Sequence, residues 1–130
     1  VGFEKLLHPA IVSASMHQYH SGHFRDAILN SVTVIFDMIR DRTDLDLDGA
    51  ALATHVFSVK NPLLIFSEIK TKSGQNDQVG FMKILEGIYT GVRNPKAHSL
   101  NHNLTPEITG QYLVFASLLA RRVDEASNPN

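Results

Sequence analysis

Between Phe24 and Ile39 the apolar and small residues Phe24, Ala27, Ile28, Ser31, Val32, Ile35, Met38 and Ile39 recur at steps of three and four. That period places them on one stripe of a helix over four turns. Such a stripe must be covered by other elements. The rest of the chain therefore has to supply partner helices, and its punctuation divides it accordingly.

A first helix is expected from His8-Pro9, with proline at the first helical position, where its missing N–H does no harm. Ile11, Val12, Ser15, Met16 and Tyr19 form its inward stripe, and Gly22 separates it from the long helix. Asp48-Gly49 is expected to cap a brief helix through Ala50, Leu52, Ala53, Val56 and Phe57. Residues 58–75 carry Asn61-Pro62 and Gly74 and read mostly as loop. Helix resumes near Asp77, which can cap it, with Val79, Met82, Ile84, Leu85, Ile88, Tyr89 and Val92 as its apolar residues. It stops at Asn94, because a proline follows. The last helix opens on Thr105-Pro106-Glu107 and turns Ile108, Tyr112, Phe115, Leu118, Leu119 and Val123 inward, with Arg121 and Arg122 near its negative end. The fold class is all-α: a compact bundle of four main helices plus one or more short ones.

At 130 residues, with 43% hydrophobic and 19% charged residues, the chain has the size and composition of one globular domain that folds without metal or disulfide. Residues 1–130 are read as a single domain, expected to be the C-terminal part of a longer protein because the chain opens on Val1 directly into helical pattern. The absence of cysteine rules out thiolate chemistry, and with no membrane-spanning run or signal-peptide pattern the expected location is cytoplasmic. A net charge of −1 argues against broad electrostatic capture of nucleic acid, so any such contact must be local.

The one chemically pointed segment is Arg93-Asn94-Pro95-Lys96-Ala97-His98. Arg93 closes a helix, and the Asn94-Pro95 bend can turn its side chain and that of His98 toward a common point. RNA is cleaved without metal when a base takes the 2′-hydroxyl proton, an acid protonates the leaving oxygen and a cation steadies the phosphorane. Histidine suits the first two roles and the arginine fork suits the third. Asn94 would cap the next turn or bind a phosphate oxygen, and Lys96 adds a second cation for RNA. One histidine cannot readily be both acid and base, so a homodimer pairing two copies of the bend is expected. Spacing alone leaves open the plainer alternative of helix punctuation with a solvated Arg93 and a core or capping His98.

Three segments carry a resemblance. Leu7-His8-Pro9-Ala10-Ile11, Gly22-His23-Phe24-Arg25-Asp26-Ala27 and Gly91-Val92-Arg93-Asn94-Pro95-Lys96-Ala97-His98 resemble successive signatures of the Ymh-type (Abi-like) branch of the HEPN superfamily, over roughly residues 7–123. The resemblance implies a dimerising helical bundle whose R-x4-6-H motifs face each other. In many members it implies a metal-independent ribonuclease of toxin–antitoxin or phage-defence systems, with an antitoxin or other regulatory protein as a possible partner. Arg93 and His98 would be catalytic, with Asn94 supporting. Asn30 aligns with a polar or acidic residue that some relatives bring from the early long helix, although an amide cannot act as a carboxylate. The resemblance equally allows a catalytically inactive dimer that binds RNA, a nucleotide or a protein. No cofactor or metal is expected.

Other residues read as structural. His17, His20 and His23 are spaced by three but divided by Gly22, and His98 and His102 lie in loop-like sequence, so neither set is assigned to a metal. His8 is a helix-start residue and His55 a partly buried one. Phe24, Phe36, Phe57, Phe66, Phe81 and Phe115 are assigned to the core, and Asp44, Asp46 and Asp48 to a solvated acidic turn.

Overall fold

The computed structural model describes residues 2–94, 98, 100 and 103–129. Among these residues the chain is all-helical. A 3-10 turn at Gly2–Leu6 leads to α1 (Pro9–His20), α2 (Phe24–Thr43), a short α3 (Gly49–Val56), α4 (Lys72–Ile88) with a π-turn at Tyr89–Arg93, and α5 (Pro106–Glu125). No helix is long and apolar enough to cross a membrane.

The long helix α2 is the centre of the bundle. Ala27, Ile28, Ser31, Val32, Ile35, Phe36 and Ile39 are buried, covered chiefly by α1 and α5 and on a third side by α3 and the π-turn. Each large apolar member stabilises the fold by roughly 1.5–3 kcal/mol. The buried hydroxyls of α1 and α2 are satisfied inside their own helices, Ser15 donating to the Ile11 carbonyl and Ser31 to the Ile28 carbonyl, whereas Ser117 Oγ on α5 has no partner among the described residues.

Polar clips fix how the helices meet. His8 caps α1, its Nδ1 accepting the Ala10 N–H at 3.0 Å, so the ring proton lies on Nε2, which donates to Asp124 at the far end of α5 at 2.5 Å. Arg42 reaches from α2 to the last carbonyls of α5, donating to Val123 and Ala126 at 2.7 and 2.6 Å. Ile65 and Ser127 exchange backbone hydrogen bonds.

Helix α4 starts earlier than the sequence suggests. Thr71, not Asp77, is the cap, its hydroxyl accepting the Gly74 N–H at 2.9 Å. Gly74 reads as a breaker yet is required inside the first turn, because a Cβ there would lie 1.7 Å from the Glu68 carbonyl oxygen. Gln78, one turn on, is fully buried. Its amide donates to the Phe57 and Leu64 carbonyls and accepts from the Phe66 N–H, which orders the long connection between α3 and α4.

Several apolar residues expected inside are not. Val12, Ile108, Phe115 and Leu118 are exposed, and His55 is exposed rather than partly buried. On α5 the core side is filled by Thr109, Gly110, Leu113, Ala116, Ser117, Leu119, Ala120 and Val123, which leaves Ile108, Phe115 and Leu118 on the opposite side. Asp48 stands at the start of α3 without a side-chain cap and instead pairs with Arg40, while Asp44 closes α2 in the left-handed region.

Arg122, near the C-terminal end of α5 as expected, is half-buried. Its guanidinium lies 4.4 Å from the centre of the Phe81 ring and 4.9 Å from that of Phe66, and it donates to Asp77 at 2.6 Å. Burial pushes the Asp77 carboxyl up, but hydrogen bonds from Ser67 and Arg122 and the Arg122 charge outweigh it and hold the group below its ordinary 3.8. A depressed carboxyl contributes stability above its unfolded pKa and loses it as pH falls through the folded value. Asp77→Asn is therefore expected to lower stability at pH 7 by about 1–2 kcal/mol, roughly 5 °C in midpoint. Thermal scans from pH 7 down to pH 2 should show the gap between the two proteins closing in acid; a constant gap would assign the loss to packing instead.

Candidate functional site

The segment singled out in the sequence begins where α4 changes its winding. Asn94 donates its N–H to the carbonyl of Tyr89, five residues back, at 2.8 Å, which closes a π-turn over Tyr89–Arg93. Asn94 itself is extended (φ −57°, ψ 131°), as the residue before a proline must be. The extra residue in the turn alters the direction in which Arg93 leaves the helix, and π-turns of this kind are frequent at functional positions.

Arg93 is half-buried and reaches α2. Its Nε–H donates to Thr33 Oγ1 at 2.7 Å. The guanidinium lines a cavity of about 170 Å³ together with Thr33, Phe36, Arg40, Asp48 and Tyr89. One wall is aromatic. Tyr89 meets Phe36 edge-on, ring centres 5.2 Å apart, and its ring occupies the space that a side chain at Gly49 would take.

The two arginines of the cavity differ in their electrostatics. Arg40 donates to Asp37, to Asp48 and, at 3.3 Å, to the Leu47 carbonyl, so its charge is balanced and its function is to hold the turn between α2 and α3. Arg93 meets a neutral hydroxyl. Among the described residues it pairs with no carboxylate, because the one carboxylate in the lining, Asp48, is paired with Arg40.

The other residues expected at the site are less closely gathered. Asn94 is half-buried directly after the π-turn. His98 is exposed on the segment leading to α5 and is not part of the lining around Arg93. Two residues beyond it, Leu100 is buried and its carbonyl accepts a 3.3 Å hydrogen bond from Arg25. Asn30 is half-buried on α2, one turn before Thr33 and so on the same side of the helix, but it too is outside the cavity lining. Lys96 and His102 lie outside the described residues, as do Pro95 and Ala97. Among the described residues no three His, Asp or Glu side chains gather as a metal would require; His20 faces Glu4 at 3.6 Å and His23 faces Asp26 at 3.9 Å.

Sequence reasoning missed Thr33, Arg40 and Tyr89. Thr33 and Arg40 share a side of α2 with Asn30 and Asp37 at positions 30, 33, 37 and 40, a polar row that helical periodicity makes visible. Nothing in the sequence says which side of α2 the end of α4 will meet.

The structure thus defines an all-helical domain with an arginine-bearing polar cavity where its fourth helix ends. The chain belongs to the Hypoth_Ymh family, described as a protein of unknown function, whose profile matches residues 5–123. No curated protein and no solved structure matches it.

The fit of Tyr89 against Gly49 can be tested. Gly49 has φ +59°, and a Cβ there would lie 2.6 Å from Tyr89 Cε1. Gly49→Ala is expected to cost about 2 kcal/mol or more, from the left-handed backbone and the displaced ring together. Chemical unfolding would measure the loss; a loss of only about 1 kcal/mol, the backbone contribution alone, would mean that the ring is free to move aside.

Proposed function

We propose that the protein is a metal-independent endoribonuclease of the toxin or phage-defence type, acting as a homodimer whose composite site pairs Arg93 and His98 of one chain with those of the other. The reading combines the resemblance to the HEPN superfamily with one observation: Arg93 is held through its Nε while the rest of its guanidinium faces an open polar cavity with no carboxylate partner among the described residues. A charged group kept half-buried beside a neutral hydroxyl is suited to an anion supplied from outside, and an RNA phosphate offers the oxygens that the guanidinium fork matches.

In the reaction His98 takes the 2′-hydroxyl proton and the 2′ oxygen attacks the phosphorus. Arg93 steadies the charge on the phosphorane oxygens. His98 of the partner subunit protonates the departing 5′ oxygen, leaving a 2′,3′-cyclic phosphate and a free 5′-hydroxyl. Asn94 and Lys96 would contact neighbouring phosphates, and a dedicated protein inhibitor would be expected to cover the same cleft.

Self-association has its own support. Ile108, Phe115 and Leu118 leave α5 apolar on the side away from the core, with exposures of 42%, 41% and 50%. Apolar side chains gathered on the exposed side of a helix mark a surface to be covered.

A second reading, a catalytically silent module that binds RNA, a nucleotide or a protein, is favoured by two observations: Asn30 offers an amide where a carboxylate would assist catalysis, and His98 is not among the residues that line the Arg93 cavity.

Incubating the protein with single-stranded RNA in the presence of EDTA separates the readings. Wild-type protein is expected to yield cyclic-phosphate ends, and Arg93→Ala and His98→Ala should each lower the rate by about a hundredfold or more with the fold intact. Uncleaved RNA that is nonetheless bound in an Arg93-dependent way would select the binding module. Light scattering should give a dimer mass that Phe115→Glu with Leu118→Glu shifts to a monomer, with cleavage lost; an active monomer would sink the composite site.

A further inference from the structure

Thr33 hydrogen bonds in both directions. Its hydroxyl proton is committed to the Leu29 carbonyl one turn earlier on α2, at 2.9 Å. The oxygen is thereby left as an acceptor only, aimed outward from the helix, and it takes the Arg93 Nε–H at 2.7 Å. A freely rotating hydroxyl would not fix a neighbour this way; one held by a backbone carbonyl does.

The consequence for Arg93 follows from guanidinium geometry. The group is planar, so holding Nε–H sets the orientation of the whole plane and of both terminal nitrogens. One of its donors is used, and those on the terminal nitrogens remain for the cavity. Arg40, by contrast, has both terminal nitrogens engaged by Asp37, Asp48 and the Leu47 carbonyl. A carboxylate in place of Thr33 would orient Arg93 equally well but would cancel its charge. A neutral acceptor orients it and leaves the charge available.

We infer that Thr33 is a positioning residue for Arg93, presetting the guanidinium fork to receive a phosphodiester in the cavity walled by Phe36 and Tyr89. This deepens the ribonuclease reading and rests on it for the nature of the ligand. The hold on Arg93 is a property of the free protein and can be measured without RNA.

Two substitutions divide the roles of the hydroxyl. Thr33→Val keeps the shape of the side chain and removes the acceptor, whereas Thr33→Ser keeps the acceptor and its anchor. In nitrogen-15 NMR spectra of the free protein, the Arg93 Nε–H signal, assigned through its loss in Arg93→Lys, is expected to be slow to exchange with solvent in wild type and Thr33→Ser and to be lost to exchange in Thr33→Val. Turnover on a short RNA is expected to fall about tenfold in kcat for Thr33→Val with KM within about twofold, and to stay near wild type for Thr33→Ser. Thermal midpoints measured alongside, matched between the two variants, would separate loss of orientation from loss of fold. An Arg93 signal unchanged by Thr33→Val would overturn the inference, and so would equal kcat in the two variants. Should wild-type protein leave RNA intact while the Arg93 signal behaves as expected, the ribonuclease reading fails and the hold of Thr33 on Arg93 stands.

Discussion

Burial of the α2 stripe is the constraint from which the other contacts follow. Seven residues from Ala27 to Ile39 are removed from water by α1, α5, α3 and the π-turn. A helix enclosed to this extent has little freedom to shift, because a rotation of one residue would bring polar side chains into the core. Its polar residues inherit that rigidity. Arg25 holds the Leu100 carbonyl, Thr33 holds Arg93, Arg40 holds the turn after α2, and Arg42 holds the end of α5. The segments on either side of the Arg93–His98 motif are therefore gripped by one helix, at Thr33 and at Arg25, eight residues or about 12 Å apart along its axis.

The same enclosure governs what could be read from sequence. The stripe of α2, the proline starts of α1 and α5 and the stop at Asn94 were legible because each is a local rule: a period, a cap, a fixed φ or an excluded conformation. The start of α4 was not. Gly74 has the same local signature whether it ends a helix or makes room for a carbonyl, and the Glu68 oxygen that requires it there is known only once the chain has folded back. Gln78 and Arg122 failed for a related reason. Both are polar residues taken into the interior by partners 12 to 45 positions away, and no local rule anticipates such partners.

The exposed side of α5 limits the reading differently. Ile108, Phe115 and Leu118 were assigned inward because an apolar residue at helical spacing is usually inside. Periodicity identifies apolar faces, but it does not count how many a single chain can cover. Here α5 has apolar residues on both sides and the bundle fills only one, on which the small residues Gly110, Ala116, Ser117 and Ala120 alternate with Leu113, Leu119 and Val123 and Gly110 faces Phe3.

The candidate site was half legible. Arg93 and His98 are visible as residue types at a helix end, whereas what makes Arg93 distinctive lies sixty positions earlier in the chain. Arg40 and Arg122 are structural arginines: each is paired with carboxylates, because a guanidinium taken partly out of water must recover the solvation it loses. Arg93 is withdrawn from water to a similar class of burial and receives a hydroxyl. An uncharged partner recovers less of the lost solvation than a carboxylate, so the fold bears a cost at Arg93 that it avoids at Arg40; Arg122 is paired with Asp77 through a terminal nitrogen while its Nε is buried without a partner among the described residues. An arrangement that costs stability and keeps a charge available is reasonable where an anion is to be received, and it would serve no purpose at an ordinary helix end. On the proposed reading, the acceptor at Thr33 therefore carries more of the case for a site than the spacing from Arg93 to His98 does.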